Sequence, residues 1–578
     1  MHTAHSLQLD PIHRKFIPAD FKLSNWESIQ PYFQELLDRE INTRAELEKW
    51  LQDFSELSAV TTEEQAWRFI RMACNTRDEA LRKHFNDFLE HIAPELETWN
   101  DKLLRKYHSL PQRQELDAED FRIFNLTVEK ELELYREENV RLKSELQTRA
   151  QEFGAKVGEM TVMVEGQEYT LQQAGRFLER HDRTLRREVY QKVTQRRLRD
   201  RDWFDELLDE LIEKRTRLAR IAGYESYTDY KFRDLGRFDY GRAECQAFHT
   251  AVEEVVKPIY NDILAARQQR LAVDRLRPWD LAVDPMGQQP LQPFADGKEL
   301  VAKTVRTLSK LRPELGAMIA KMDEMQHLDL DSRIGKAPGG FNYPLPEIGV
   351  PFIFMNAVGL QSDLTTMVHE AGHAIHSFLT RQMRYNFWKD VPSEIAELAS
   401  MSMELISMDH WDEFYDDPAQ LRRARTVQME RSIGALPWIA TIDAFQTWLY
   451  DHPDHSCEAR RQQWVQLYNR FHGERIDYTG FEDTKANLWQ KQLHLFEVPF
   501  YYIEYGFAQL GAFQVWRNYK ADPEAGLQAY LEGLKMGYTR PIDITYQTAG
   551  ARFAFDTDFM RELFAFVQAE YQQLTAAG

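Results

Sequence analysis

Cysteine is scarce in this chain. The 578 residues contain three, Cys74, Cys245 and Cys457, and these lie far apart in the sequence. An odd number of widely separated cysteines excludes a disulfide framework and a cysteine-based zinc site. Proteins without disulfides are typical of reducing compartments, so we expect a cytoplasmic protein.

Long apolar runs and a surplus of basic residues are also missing. No stretch of about 18 apolar residues occurs, so we expect no membrane-spanning helix. The segment beginning Met1-His2-Thr3 lacks a basic region followed by an apolar one, so we expect no signal peptide. Lysine and arginine number 72 against 92 aspartates and glutamates, which gives a net charge of −20. This charge argues against nucleic acid or an anionic membrane as a partner.

Helical periodicity, by contrast, is abundant. Hydrophobic residues make up 43% of the chain and charged residues 28%, which predicts a globular protein with a large core. Apolar residues at spacings of three and four predict long helices over 31–54, 61–92 and 118–153. Two β segments interrupt the helical pattern: a glycine-containing hairpin at 160–171 and a short apolar strand at 351–356.

One motif stands out from this helical background. His369, Glu370 and His373 form H-E-x-x-H, the pattern of a helical zinc site. Residues four apart lie on one face of a helix, so the two imidazoles can point at one ion. Glu370 follows the first histidine directly and sits beside the metal, where a base can take a proton from the attacking water.

The helix that this motif requires is supported by its own residues. Apolar residues recur at helical spacing between Leu364 and Phe378. Ser362 or Asp363 can cap the start of the helix. Gly372 lies between the two histidines and costs about 1 kcal/mol against alanine inside a helix. A glycine at this position indicates close packing by another segment.

A catalytic zinc site needs a third protein ligand and an open position, and an acidic helix downstream offers candidates. Ser393 follows a proline and predicts the helix start. Glu397 and Glu404 lie two turns apart on one face, and Glu394 lies one turn before Glu397. Apolar neighbours predict that these carboxylates are buried, and a buried carboxylate needs a partner such as a metal.

These two segments together resemble a known family. His369-Glu370-Ala371-Gly372-His373, followed by Ala396-Glu397-Leu398-Ala399-Ser400 and Glu404, is similar to the thimet oligopeptidase and oligoendopeptidase F group of zinc peptidases. The resemblance implies that Glu397 is the third ligand, with Glu394 as its rival. Glu394 or Glu404 would orient the ligand histidines from behind. His376 fits the H-E-x-G-H-x-x-H form of the oligoendopeptidase branch and not the metzincin pattern.

Aromatic residues cluster further along the chain, between His494 and Gly506. Phenol and imidazole groups can donate hydrogen bonds to the oxyanion that forms in peptide hydrolysis. Tyr502 and Tyr505 are three apart and can share one helical face. The resembled peptidases have a histidine followed by a tyrosine pair of this spacing, which implies that His494, Tyr502 and Tyr505 are catalytic. Tyr501 is an alternative to either tyrosine.

We therefore predict a mainly α-helical, multi-helix protein with small β pieces near the active site. An N-terminal helical part over 1–190, including the hairpin, and a catalytic zinc-peptidase part over 191–578 should flank a deep channel, as the resemblance implies. The implied function is that of a zinc metalloendopeptidase, with one zinc ion per chain, which cleaves short unfolded peptides.

The resemblance also implies how a peptide would be held. The strand Phe352–Met355 would pair with the peptide backbone by β-augmentation. Two rival functions remain. An exopeptidase that removes C-terminal dipeptides would need a cationic group for the substrate carboxylate, which the sequence does not locate. An inactive helical peptide-binding protein would need none of the catalytic residues.

Overall fold

The structure is a computed structural model that describes residues 7–333, 335–337 and 339–576, and most of these residues are helical. Six helices form the N-terminal region: α1 Trp26–Asp38, α2 Arg44–Cys74, α3 Glu79–His91, α4 Ala93–Ser109, α5 Arg122–Leu134 and α6 Glu137–Gly158. The helices after them are α7 Leu171–Ala174, α8 Arg183–Leu198, α9 Arg201–Ile221, α10 Tyr227–Asp234, α11 Arg242–Ala251, α12 Lys257–Arg270, α13 Gly297–Leu311, α14 Pro313–Glu324, α15 Gln361–Thr380, α16 Ser393–Ile406, α17 Pro418–Asp451, α18 Cys457–His472, α19 Glu482–Ala486, α20 Leu493–Glu497, α21 Tyr502–Ala521, α22 Pro523–Lys535, α23 Ile542–Thr548 and α24 Thr557–Ala576. The mainly α-helical class predicted from the sequence is confirmed.

Each of the three predicted N-terminal spans covers parts of two helices, and α2 runs unbroken across the gap between the first two spans. Two of the breaks have local causes. Between α1 and α2, the Thr43 side chain accepts the N–H of Glu46, whose carboxylate accepts the N–H of Thr43. This capping box starts a new helix at Arg44. Between α2 and α3, the Asp78 side chain accepts two backbone N–H groups and starts α3. Apolar residues at helical spacing lie on both sides of each break, which is why the predicted spans cross the breaks.

Two large hydrophobic cores organise the described residues, with a smaller third one between α2 and residues 341–354. One contains buried residues from α1 to α5, such as Phe33, Trp50 and Tyr107, and is joined by Tyr385 from the C-terminal half. The other extends from Ile123 to Val567 and includes both helices that carry the zinc motif. The division of the chain at residue 190 stays a prediction.

The predicted hairpin and apolar strand are both present. Strands β1 (Thr161–Val164) and β2 (Gln167–Thr170) form the antiparallel hairpin. Strands β3 (Leu328–Asp331), β4 (Phe341–Tyr343) and β5 (Phe352–Ala357) form a second sheet in the order β3-β5-β4.

This order contradicts one prediction. Strand β5 lies in the centre of its sheet, parallel to β3 on one side and antiparallel to β4 on the other. Ile353 and Phe354 pair with both neighbouring strands and Phe352 pairs with β4, and the Met355 carbonyl accepts from Lys336. The strand is therefore not free to pair with a substrate. Within the described residues β4 has β5 as its only strand partner, so β4 presents the edge nearest the zinc motif. The Asn342 side chain on β4 donates a hydrogen bond to the carbonyl oxygen of Glu370 at 3.2 Å.

Helices α15 and α16 are in direct backbone contact, as the glycine in the motif indicated. A Cβ atom placed on Gly372 would lie 2.6 Å from both the carbonyl oxygen of Ala399 and the Cα of Ser400. Any larger residue would force the two helices apart. The glycine thus brings the two helices that carry the candidate ligands together.

A cavity of about 840 Å³ separates the N-terminal helices from α15 and α16. One wall comes from α2, α4 and α5, and the other from the β4 strand, the loop after it, α15 and α16. This arrangement agrees with the predicted channel between two helical parts.

None of the described helices is long and apolar enough to cross a membrane.

Candidate active site

Helix α15 begins at Gln361 and carries the zinc motif in its middle turns. The sequence predicted Ser362 or Asp363 as the N-cap residue, but the N-cap is Leu360. Instead the Asp363 carboxylate reaches back to accept the backbone N–H groups of Val358 and Leu360 at 2.8 and 2.9 Å. An acidic side chain at the third helical position accepts hydrogen bonds from free backbone N–H groups at the helix start, and its negative charge interacts favourably with the helix dipole.

The three predicted ligands converge in space. The Nε2 atoms of His369 and His373 lie 3.3 and 3.6 Å from the Oε2 atom of Glu397, and one donor atom from each residue falls within 4.8 Å of the other two. Two imidazole nitrogens and one carboxylate oxygen form the donor set of a catalytic zinc site with an open position. The residues present therefore fit a zinc ion.

A chain of hydrogen bonds holds the His369 ring from the side opposite Glu397. The Nδ1 atom of His369 is 2.7 Å from the Glu404 carboxylate. Gln428 donates to the other oxygen of Glu404 at 2.6 Å, and the Thr365 hydroxyl donates to the Gln428 amide oxygen at 3.0 Å. An Nδ1–H bond to a carboxylate fixes the ring orientation and leaves Nε2 free to bind a metal. Of the two orienting candidates, Glu404 occupies this position.

Glu394, the rival third ligand, points elsewhere. Its carboxylate accepts the Tyr240 hydroxyl, and its backbone carbonyl accepts the Tyr546 hydroxyl at 2.9 Å. Burial raises the pKa of Glu394, although the nearby Arg237 opposes that rise. The structure thus gathers Glu397, and not Glu394, with the two histidines.

Two further side chains hold Glu397. The Ser400 hydroxyl donates to its Oε2 atom at 2.8 Å, and the Tyr501 hydroxyl donates to its Oε1 atom at 2.9 Å. Burial alone would raise the pKa of this carboxyl, but His373, His369 and Ser400 outweigh burial and lower the pKa to about 2. The carboxylate is therefore ionised, as a metal ligand must be.

Glu370, the predicted base, is buried beside this cluster. Burial raises the pKa of its carboxyl to about 7; the neighbouring His369 acts against the rise, and the charge of Glu397 adds to it. A base whose pKa lies near the working pH takes up and releases a proton most effectively.

The predicted aromatic residues form one group. The His494 ring centroid is 4.7 Å from that of Tyr502 and 5.9 Å from those of Tyr501 and Tyr505. Tyr501 precedes α21, and its hydroxyl is the one that reaches Glu397. Burial, together with the charge of Glu397, raises the pKa of Tyr505 well above its usual value, so this hydroxyl stays protonated and can donate.

Hydrogen bonds from outside the motif set the tautomer of His494. The indole N–H of Trp438, which can only donate, binds the Gln492 amide oxygen at 3.0 Å. The Gln492 amide nitrogen must then donate to Nδ1 of His494, 2.7 Å away. Burial lowers the pKa of His494 to about 4, so the ring is neutral near pH 7. A neutral ring that accepts at Nδ1 carries its proton on Nε2.

We predict that Gln492→Glu lowers kcat at pH 8 by roughly tenfold or more, because a carboxylate accepts a hydrogen bond from Nδ1–H and removes the proton from Nε2. Loss of one donor to an oxyanion costs on the order of 10²–10³-fold. Gln492→Met, which has the same length and no carboxylate, should have the smaller effect. Equal effects of the two variants in steady-state kinetics would contradict the tautomer argument.

For the tyrosines, we predict that Tyr505→Phe lowers kcat by on the order of 10²–10³-fold and raises KM less, because a donor to the oxyanion acts mainly in the transition state. The same result is expected for Tyr502→Phe. Tyr501→Phe should instead weaken zinc binding, since it removes a hydrogen bond to Glu397. An effect of Tyr505→Phe on KM alone would assign that residue to substrate packing.

His376 is buried and lines the cavity one turn beyond His373. Burial lowers its pKa to about 4, so the ring is neutral. Its position matches the sequence form noted above, but its side chain is not part of the ligand cluster.

Sequence reasoning missed several residues of the site. Ser400 lies one turn after Glu397, and helical spacing alone could have suggested its contact. Gln428, Trp438 and Gln492 come from other elements and form no pattern with the motif, so no local signal points to them.

Comparison with known proteins places this geometry in a family. The family model described as peptidase family M3 matches residues 176–564, and that described as peptidase M3 N-terminal domain matches residues 16–135. Oligopeptidase PepF of Bacillus subtilis (strain 168) is 20% identical, with a match that covers 64% of this chain and 54% of that protein. Chromosomal oligoendopeptidase F of Lactococcus lactis subsp. cremoris is 23% identical over 48% of this chain and 46% of its own length. The chain thus spans about half the length of these curated relatives.

Solved structures agree over nearly the whole chain. The structure of PZ peptidase A with an inhibitor has a TM-score of 0.91 at 24% identity and covers 97% of this chain and 99% of its own. A putative oligoendopeptidase F has a TM-score of 0.90 at 26% identity, with the same coverage. The resemblance inferred from the motifs is confirmed: this chain belongs to peptidase family M3.

Proposed function

We propose that this chain is a zinc endopeptidase that hydrolyses internal bonds of short, unfolded peptides. The observation that carries the proposal is the convergence of His369, His373 and Glu397, two of which, His373 and Glu397, line the cavity. One zinc ion per chain would bind there. When bound, zinc would polarise the scissile carbonyl and lower the pKa of the attacking water.

The residues of the chain would divide the remaining work. The Glu370 carboxylate takes a proton from the attacking water and passes it to the nitrogen of the leaving amine. His494, through Nε2–H, and Tyr502 and Tyr505, through their hydroxyls, donate hydrogen bonds to the oxygen that becomes negative in the transition state. Glu404 and Gln428 keep the His369 ring in its orientation.

The cavity walls would select the substrate. A peptide must enter extended between the N-terminal helices and α15, where the β4 edge can pair with its backbone. Strand β4 thus replaces Phe352–Met355 in this role. A folded protein cannot present an extended segment without unfolding, which costs several kcal/mol.

A size series tests this proposal. The enzyme is incubated with peptides of about 6–20 residues, a size that an extended site could hold, with a stable folded protein, and with that protein unfolded at full length. We expect rapid cleavage of the peptides and none of the folded protein. Comparable cleavage of folded protein and peptides would refute the enclosed site but not the zinc chemistry.

Two rival functions are separated by simple assays. Peptides blocked at both ends are cleaved by an endopeptidase and not by an exopeptidase that removes C-terminal dipeptides. An inactive peptide-binding protein would give no cleavage even when one zinc ion per chain is measured.

The three free cysteines, Cys74, Cys245 and Cys457, support a reducing, cytoplasmic location.

A further inference from the structure

Two cationic side chains line the cavity without an acidic partner. Arg381 follows the last residue of α15, and Lys389 lies in the connection to α16. Within the part of the chain that the structure describes, no carboxylate oxygen lies within 4.0 Å of either charge. Both donate to the same loop: Arg381 Nε to the carbonyl of Ile348 at 3.0 Å, and Lys389 Nζ to that of Pro346 at 3.4 Å.

Nearby acidic groups do not compensate these charges. The acid closest in influence to Lys389 is Glu63, whose Oε2 atom already accepts the backbone N–H groups of Glu347 and Ile348 at 2.8 and 3.0 Å. Asp10 acts on Arg381, but the contact it makes is through its backbone carbonyl, which accepts from Nη1 at 2.7 Å. Burial lowers the pKa of Lys389 to about 8, and the charge of Arg381 adds to this effect.

The opposite wall shows the usual arrangement. Lys143 also lines the cavity, but its ammonium lies 2.8 Å from the Glu97 carboxylate. Arg381 is buried and Lys389 is half-buried. A charge that is removed from water is normally paired, because an unpaired one loses its hydration without compensation. In a chain with a net charge of −20, two adjacent cations without a carboxylate indicate that the missing anion comes from outside the chain.

The position of the pair relates it to the zinc site. Arg381 lies eight residues after His373, and at 1.5 Å per residue this is about 12 Å along the α15 axis. His376, Ser377 and Thr380 line the cavity between them. An extended peptide advances about 3.3 Å per residue, so this distance corresponds to three or four substrate residues.

We propose that Arg381 and Lys389 form a subsite for a carboxylate of the peptide substrate, three or four residues from the scissile bond. The subsite deepens the proposed peptidase function and rests on it. The carboxylate can be the C-terminus of a short peptide or an aspartate or glutamate side chain. Arg381 binds two backbone carbonyls, those of Ile348 and Asp10, whereas Lys389 makes a single longer contact with Pro346. Lys389 is therefore the better residue to change.

The test begins with one parent peptide in two forms, with a free C-terminal carboxylate or a C-terminal amide. Two further amidated peptides carry glutamate or glutamine three to four residues from the cleaved bond. The four peptides are compared by kcat/KM on the zinc-loaded enzyme. A free-acid preference identifies the C-terminus as the source, and a glutamate preference identifies a side chain. Either preference should be roughly 10- to 100-fold, the range for a hydrogen bond to a charged group.

Variants then assign the preference to the subsite. Lys389→Gln should abolish it, Lys389→Arg should retain it, and Lys143→Gln is the matched control, since it removes a paired cation from the same cavity. Absence of any carboxylate preference, or an unchanged preference in Lys389→Gln, would overturn the proposal. Dissociation constants of the same peptides on zinc-loaded Glu370→Gln enzyme provide a readout without turnover. A protein that discriminates in binding but never cleaves would contradict the peptidase function and leave the subsite standing.

Discussion

Glu370→Gln is expected to reduce kcat by roughly 10²–10⁴-fold or more, the range for loss of a general base. Glutamine has nearly the size of glutamate, but its amide cannot accept the proton of the attacking water. Glu370 is buried, and that burial raises its pKa to about 7, which suits a base that works near neutral pH. The measurement is steady-state cleavage of a fluorogenic peptide by the variant and the unaltered enzyme.

Two controls make this result interpretable. The variant should bind one zinc per chain and should bind the same peptide with a similar dissociation constant, since Glu370 is neither a ligand nor a substrate contact in this mechanism. Near-normal turnover in zinc-loaded Glu370→Gln would disprove its role as the base.

The second large effect concerns the metal. Glu397→Ala should lose zinc on dialysis, and with it nearly all activity, because two histidines alone leave a catalytic zinc site without its third ligand. His369→Ala and His373→Ala should do the same. Zinc per folded chain is measured by elemental analysis after gel filtration.

Glu394→Ala is the matched control for this prediction. It removes a buried carboxylate from the same helix, but one that accepts the Tyr240 hydroxyl and lies outside the ligand cluster. This variant should be less stable and yet retain zinc. Retention of zinc by Glu397→Ala together with its loss from Glu394→Ala would reverse the assignment of the third ligand.

The limits of sequence prediction in this chain follow from the range of the interactions. Periodicity located the helical regions because burial of one face repeats locally, but it ran through the caps at Thr43 and Asp78. The strand at 351–356 was found from its composition. Its central place in the sheet depends on pairing with β3 and β4, which no local pattern records.

The same distinction holds at the candidate site. His369, Glu370 and His373 share one helical turn, so their spacing alone predicts convergence. Glu397 required a resemblance to a family, since its helix could have packed with another face toward α15. No sequence pattern points to Lys389 as a binding residue, because its lack of an acidic partner is a property of the folded cavity.

The backbone contact at Gly372 also bears on the order of folding and metal uptake. Because α15 and α16 are in backbone contact at Gly372 and both contribute buried residues to the larger core, the fold holds the candidate ligands in register by itself. Folding free energy and zinc-binding free energy are then separate quantities, unlike in small domains that fold only on binding metal. We expect a chelator to abolish activity without changing the far-ultraviolet circular dichroism, and added zinc to restore activity without a refolding step. A loss of helical signal on chelation would show that the metal, and not the glycine contact, sets the distance between the two helices.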